Sequence, residues 1–444
     1  MLHARHYTTG FVLALIAGAA IHPHARPGQV SADGVQTGEQ AQPASPAGCL
    51  QAATDFLNER VKAARAEGPL TSDRYQAITR ERTKIAADCV ARISLEQTPP
   101  ADLPTLAQVY VMADQPERAN TAIARALAAP GLGVPDRAKI LASAVRLVLT
   151  QPVSDARNAQ AERYVAELDA LPDTVIMDKI AAHGALNSYY RVDDIDEGII
   201  AHSTKLIEMG RALTLEQRKA TGTTLHMAYN NLAEALAGQE QTEQALALLR
   251  RAPKELAGLD RVDEIITPTL DRYLLVGAAA ASIEAPRWLN APPGTTKLDP
   301  KGAVRLIQFT AHWCGPCREA YPGVIRLSKR YADKGFAVTM VTQLYGYFGT
   351  RRNLSPADEL AADETYFREH GITFPIAVAD MPQEKTVNGT TVPAVNTNEA
   401  NYRVGGIPQI MIVDKRGRIR LIMVGYDNKN EERLAGLIGR LLAE

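Results

Sequence analysis

Val304-Arg305-Leu306-Ile307-Gln308-Phe309-Thr310-Ala311-His312-Trp313-Cys314-Gly315-Pro316-Cys317 is an apolar run that ends in two cysteines separated by Gly-Pro. Val, Ile and Phe at period-two spacing favour a pleated strand over 304–309. Gly-Pro is tolerated where a helix begins, because proline's missing N–H would be unpaired there anyway. The cysteines therefore belong to a helix N-terminus, where free N–H groups and the helix dipole stabilise an anion. The anion at issue is a thiolate, the nucleophile of thiol–disulfide exchange. Cys314, just before the helix with its sulfur towards solvent, is the predicted attacking thiol. Cys317, one turn in, faces the interior and resolves the mixed disulfide by attacking Cys314. Other uses of a C-x-x-C pair fail: half a zinc site needs two further ligands, and c-type haem attachment needs a histidine where Arg318 stands.

Downstream, Pro322 follows Cys317 by five residues, and Gly406-Ile407-Pro408 precedes the apolar run Gln409-Ile410-Met411-Ile412-Val413-Asp414. Lys415-Arg416-Gly417-Arg418 reads as a hairpin turn into a strand from Ile419 to Val424, and Glu431 to Leu442 as a closing amphipathic helix. Over residues 277–444 these features together resemble the thioredoxin superfamily. The resemblance implies that Pro322 kinks the active-site helix and that Pro408 follows a cis bond. It also implies that the Ile407 backbone lies opposite Cys314 and pairs with an incoming substrate strand. Ile407, Pro408 and the rim residue Trp313 are thus the expected substrate-binding residues.

Within the superfamily the chain is similar to the TlpA-like extracytoplasmic branch. The residues carrying this are Glu284-Ala285-Pro286-Arg287-Trp288-Leu289-Asn290, then Leu298-Asp299-Pro300-Lys301-Gly302, and an insertion, 344–402, before the cis-proline. Two positions differ. The buried carboxylate that thioredoxins place six residues before the first cysteine is Gln308 here. The glutamate that the TlpA-like branch has three residues after the second is Ala320, with Glu319 one position early on another helical face. The group that takes the Cys317 proton is unassigned by the sequence. Glu364 or Glu369, on a predicted helix from Pro356 to Glu369, is a candidate acid, solvated helix surface being the alternative. His312 is either a cation that lowers the Cys314 pKa or an exposed loop residue. Tyr345-Gly346-Tyr347-Phe348-Gly349 either lines the substrate approach or packs locally. Phe374 to Val378 reads as a short strand and Asn388 to Asn398 as an exposed polar loop.

At the other end of the chain, residues 1–25 combine Arg5, an apolar run from Phe11 to Ile21 and small residues up to Ala25. That run is too short for a bilayer, which takes roughly 20 residues, but it suits a secretory signal peptide; an uncleaved anchor is the alternative. Residues 26–48, rich in Gln, Ala, Gly, Pro and Ser, read as a disordered linker. The chain has four cysteines, and export places them where disulfides persist. With two in the active-site pair, Cys49 and Cys89 are left. They lie at the start and the end of two apolar-periodic segments separated by Gly68-Pro69, and an antiparallel helix pair would bring them together as a structural disulfide. Two unpaired core thiols are the alternative.

Residues 49–275 are helical in pattern. Leu106 to Tyr110 turns at Asp114-Gln115-Pro116-Glu117 into Ala119 to Leu127. Tyr189-Tyr190 precedes a turn at 193–196 and a helix from Gly198 to Met209. Tyr229 to Leu236 turns at Gly238-Gln239-Glu240 into Ala245 to Leu249. Tyrosine near the end of one helix, a short polar turn and alanine early in the next resemble tetratricopeptide repeats. A concave face for a protein partner would follow, and a packed spacer is the alternative.

The fold class expected is multidomain: an all-α helical-repeat (tetratricopeptide-like) domain, 49–275, followed by an α/β thioredoxin-like fold, 276–444. The function expected is that of an exported, periplasmic or otherwise extracytoplasmic thiol–disulfide oxidoreductase. It would reduce protein disulfides through the redox-active disulfide Cys314–Cys317, fed by an unidentified electron donor and without stable membrane insertion. A helical-repeat protein that uses the thioredoxin fold as a docking module is the alternative. The net charge of −1 argues against a nucleic-acid or anionic-membrane surface. No glycine run of nucleotide-binding type appears, and the nine histidines show no metal-ligand spacing, so the sequence calls for no cofactor and no metal.

Overall fold

The computed structural model describes residues 45–67, 70, 72–193, 195–382, 385–387, 390–392, 395–426 and 428–444. The signal-peptide reading of 1–25, and the linker up to residue 44, lie outside the described residues. The first helix begins at Pro46, so the last residues assigned to the linker are helical instead, with proline at the helix start where its lost N–H costs nothing.

The helical part comprises α1 (Pro46–Glu67), α2 (Ser72–Val90), α3 (Leu103–Met112), α4 (Pro116–Leu127), α5 (Val134–Leu149), α6 (Asp155–Asp169), α7 (Ile176–Val192), α8 (Asp196–Ala212), α9 (Leu215–Ala220), α10 (Gly222–Gly238), α11 (Thr242–Glu255) and α12 (Val262–Tyr273). Neighbours pair as α1/α2, α3/α4, α5/α6, α7/α8 and α10/α11. Asp114 and Glu240, both left-handed at φ 58° and 63°, close the α3–α4 and α10–α11 turns. Tyr110 and Tyr190 are buried near the ends of α3 and α7, whereas Tyr229 is buried midway along α10 rather than near its end, and Ala119 and Ala245 are buried early in α4 and α11. Gly198 is fitted to the same contact, since a Cβ there would fall 2.1 Å from the Tyr190 ring.

Cys49 in α1 and Cys89 in α2 are disulfide-bonded, with Cα atoms 5.7 Å apart across a sequence separation of 40. Replacing both by alanine is expected to cost about 2–4 kcal/mol, chiefly by freeing the unfolded chain. A lowered denaturant midpoint with unchanged reactivity of the Cys314–Cys317 pair would be the readout.

The α/β part is built on a six-stranded sheet, ordered β12-β11-β4-β5-β8-β2. Its strands are β2 (Arg287–Leu289), β4 (Val304–Phe309), β5 (Phe336–Gln343), β8 (Ile376–Ala379), β11 (Gln409–Val413) and β12 (Ile419–Val424). Strands β4, β5 and β8 run parallel, while β11 is antiparallel to β4 and β12, and β2 to β8. Short strands β1 (Ile283–Glu284) and β3 (Lys297–Leu298) pair beside it, as do β6 (Tyr347–Phe348) with β7 (Arg351–Arg352) and β9 (Lys385–Val387) with β10 (Thr390–Val392). Helices α13 (Gly315–Tyr331), α14 (Pro356–Glu369), α15 (Thr397–Asn401) and α16 (Asn428–Ala443) complete it.

Alternation along β4 decides what covers each face. Val304 and Leu306 pack with Tyr321, Val324, Leu327, Phe367, Ile438 and Leu441, from α13, α14 and α16. Ile307 and Phe309 point the other way, into a core shared with Ala233, Leu249, Ile266 and Tyr273 of α10–α12. The helical and α/β parts therefore share buried apolar surface, and 44–444 form one compact unit.

Part of the insertion differs from expectation. The stretch read as an exposed polar loop contains β10, part of α15 and two buried asparagines. Asn396 caps α15 by accepting from the Glu399 N–H and donates to Gln343 Oε1. Asn398 both accepts from and donates to the Glu284 backbone, bridging back to β1. A polar side chain can be buried when its hydrogen bonds are met, so polarity alone misread these two asparagines. No helix among the described residues is long and apolar enough to cross a membrane.

Candidate active site

Strand β4 delivers the chain to the end of the sheet, and α13 starts one turn later. Cys314 is the N-cap of α13, and the Cys317 N–H donates to its Sγ at 3.1 Å. The two cysteines are disulfide-bonded, with Cα atoms 5.2 Å apart. Cys317 is fully buried, as its place one turn in implies. Cys314 is also buried, at 4% exposure, rather than directed to solvent. Its Sγ lies 3.7 Å from the Ile407 carbonyl oxygen, so the loop before β11 covers it. The Ile407–Pro408 bond is cis, and Gln409 holds the loop from below by donating to the Tyr402 carbonyl at 2.9 Å. Trp313 is 41% exposed and meets the Tyr345 ring edge-on at 5.5 Å. The structure thus brings together five of the residues expected to act at the site: Trp313, Cys314, Cys317, Ile407 and Pro408. Cys49 and Cys89 lie apart from it, within the helical part.

Gln308 shares the α13-facing side of β4 with Leu306, and its amide is fully buried with neither oxygen nor nitrogen hydrogen-bonded. Ala320 is buried and Glu319 exposed. Thr310 Oγ and the Tyr321 hydroxyl, one turn beyond Cys317, are 2.8 Å apart, and burial pushes the Tyr321 phenol far up, keeping it protonated. Gln308, Thr310, Ala320 and the protonated Tyr321 are thus all neutral, and none of them offers a carboxylate to the Cys317 proton.

The ionisable groups lie to one side. Glu364 and Glu369 are exposed on α14, as solvated helix surface. The same helix turns Glu359, Asp363 and Phe367 inward, each about 1% exposed. Glu359 accepts the backbone N–H groups of Tyr345 and Gly346, both at 2.7 Å. His312 is not an exposed loop residue. At 6% exposure it is packed against Tyr345, Tyr347 and Phe348, with ring centroids 5.6, 5.4 and 4.7 Å away, and its Nδ1 is 3.3 Å from Asp363 Oδ1. Residues 345–348 therefore enclose His312, and Tyr345 in addition supports Trp313. Burial raises the pKa of the Tyr345 phenol and that of the Glu399 carboxyl, which sits close enough to Tyr345 to contribute. Sequence reasoning missed Glu359, Asp363 and Glu399. The available signal was the i, i+4, i+8 spacing of Glu359, Asp363 and Phe367, which puts two acids on the same helix face as a core phenylalanine.

Residues 279–438 match the protein-family model described as Redoxin. The thioredoxin-like protein YneN of Bacillus subtilis is 32% identical over 134 residues, which cover 30% of this chain and 63% of YneN. The thiol-disulfide oxidoreductase ResA of Geobacillus kaustophilus is 23% identical over 133 residues, 30% of this chain and 61% of ResA. The chain thus spans about three-fifths of the length of these curated relatives. Among solved structures, the thioredoxin domain of a thiol-disulfide oxidoreductase from Bacteroides vulgatus matches with a TM-score of 0.28 at 19% identity, covering 37% of this chain and 97% of that one. The C-terminal α/β part is thioredoxin-like, and thiol-disulfide oxidoreductases are among its relatives.

Proposed function

We propose that the chain is an exported, TlpA-like thiol–disulfide oxidoreductase that reduces disulfides in protein substrates. The observation that carries this is the setting of Cys314. Its sulfur receives a helix N-terminal N–H at 3.1 Å, which in the reduced state is a hydrogen bond to the thiolate. It also sits against the Ile407 carbonyl and beside the exposed Trp313 ring, where an extended substrate backbone can pair. The Cys314 thiolate attacks one sulfur of the substrate disulfide, that bond breaks, and the other substrate sulfur leaves as a thiolate. Cys317 then attacks Cys314, the mixed disulfide breaks, and the second substrate sulfur leaves. Two electrons have passed to the substrate, and a dithiol donor must return them. Gly-Pro between the cysteines is the pair found in thioredoxin, with a potential of about −270 mV against about −120 mV for a strong periplasmic oxidant, which favours net reduction.

Export is supported by the signal-like residues 1–25 and by the Cys49–Cys89 bond, of a kind that persists in oxidising compartments. The paired helices of 49–275, with Gly198 of α8 closed onto the Tyr190 ring of α7, support a tetratricopeptide-like role in holding a protein partner.

The test is Cys317→Ser in the full chain, with adducts sought on non-reducing gels. Mixed disulfides on Cys314, released by dithiothreitol, are expected, and their identity names the substrates. A variant whose Cys314 attacks a small aromatic disulfide yet traps no protein would refute protein-disulfide reduction.

A further inference from the structure

His312, Glu359 and Asp363 form a buried cluster that the exchange chemistry does not use. We propose that they are the protein ligands of a zinc-type divalent cation held beside the active-site turn. Each offers one donor atom, these atoms all lie within 4.8 Å of one another, and all three residues are buried. The closeness of His312 and Asp363 is not that of a formed hydrogen bond: neither ring nitrogen and neither Asp363 oxygen makes one. Yet Nδ1 and Oδ1 are 3.3 Å apart. Two ligands on one tetrahedral zinc, with bonds of about 2.0–2.1 Å, stand roughly 3.4 Å from each other. The pair therefore has the spacing of two corners of a coordination tetrahedron.

Charge points the same way. Histidinium would balance only one of the two carboxylates, leaving a net negative cluster in a pocket walled by Tyr345, Tyr347 and Phe348. A dication with neutral imidazole balances both. Glu359 can take part without releasing Tyr345 and Gly346, because each carboxylate oxygen has a second lone pair beyond the one that accepts a backbone N–H. Imidazole nitrogen and carboxylate oxygen are both ligand types that zinc takes, and three protein ligands leave a fourth tetrahedral position open. A bound ion would tie His312, two residues before Cys314, to α14 and the loop after β5, so that loading stiffens the active-site turn.

The experiment uses the full chain with Cys314 and Cys317 both changed to serine. The reducible thiols then cannot bind metal, and the outcome does not depend on the exchange reaction. Calorimetric titration with ZnCl2 is expected to show one equivalent per chain. Affinity should fall at least about tenfold in Asp363→Asn and in His312→Gln, and stay unchanged in Glu364→Gln, which alters an exposed carboxylate on the same helix. Zinc-edge X-ray absorption of the serine-substituted parent needs no further variant and is expected to show a single imidazole and no sulfur. No binding by the parent overturns the assignment. So does binding that both variants leave unaltered, or a spectrum with two or more imidazoles, since either would place the ion elsewhere on the protein.

Discussion

Replacing Cys314 by alanine is expected to abolish disulfide reduction, with the rate falling by at least about three orders of magnitude, as loss of a covalent nucleophile does. Cys317 cannot substitute for it. It is fully buried, one turn inside α13, whereas Cys314 stands at the helix N-cap, next to the exposed Trp313 and covered by the loop whose Ile407 carbonyl lies 3.7 Å from its sulfur. Cys317→Ala should behave differently, retaining one attack per chain and then stalling as a mixed disulfide, because only resolution is lost. The measurement is reduction of a protein disulfide under turnover with a dithiol donor, beside a single-turnover reaction of each variant. Residual turnover in Cys314→Ala above about a tenth of the parent rate would mean that Cys317 attacks directly and that the order of the two cysteines is reversed.

The second large effect is expected far from the sulfurs. Glu234 on α10 accepts from Arg272 of α12 and Arg191 of α7, each at 2.9 Å. Arg272 is 5% exposed, and its Nε donates to the Arg403 carbonyl at 3.3 Å. A Cβ added to Gly405 would fall 1.9 Å from its guanidinium, so the chain leading to Pro408 is seated directly on this arginine. Glu234→Ala leaves a buried guanidinium without its carboxylate, and breaking such a pair costs about 3–5 kcal/mol. Because Arg272 also carries the 403–405 loop, substrate-trapping efficiency should fall together with the thermal midpoint. Glu234→Gln, which keeps one acceptor and the shape, should lose less of both. A loss below about 1 kcal/mol in Glu234→Ala would mean that water reaches Arg272 and that the helical and α/β parts separate at this seam.

The same seam marks where reading the sequence stopped. The strand–dithiol–helix unit of 304–331, Pro408 with its following strand, the hairpin at 415–418, the paired helices and the Cys49–Cys89 pairing were all legible. Each rests on spacing of 2 or 3.6 residues, on turn chemistry or on a scarce residue type, and these act within a few residues of chain or within one helix pair. Family resemblance added the cis bond before Pro408. What covers the second face of β4 was not legible. Ile307 and Phe309 announce only that they must be buried, and nothing local says that Ile266 and Tyr273 of α12 help do it.

The ionisable groups beside the active-site turn divide in the same way. That Gln308 and Ala320 stand where an acid was expected is a statement about sequence alone. That Asp363, rather than Glu364 or Glu369, turns towards His312 required the packing of α14 on the sheet, which fixes which of the acids on that helix are dry. Periodicity states which residues share a face, but the partner of that face lies some fifty residues away along the chain. Long-range packing chooses it, through burial and charge compensation that no single segment contains.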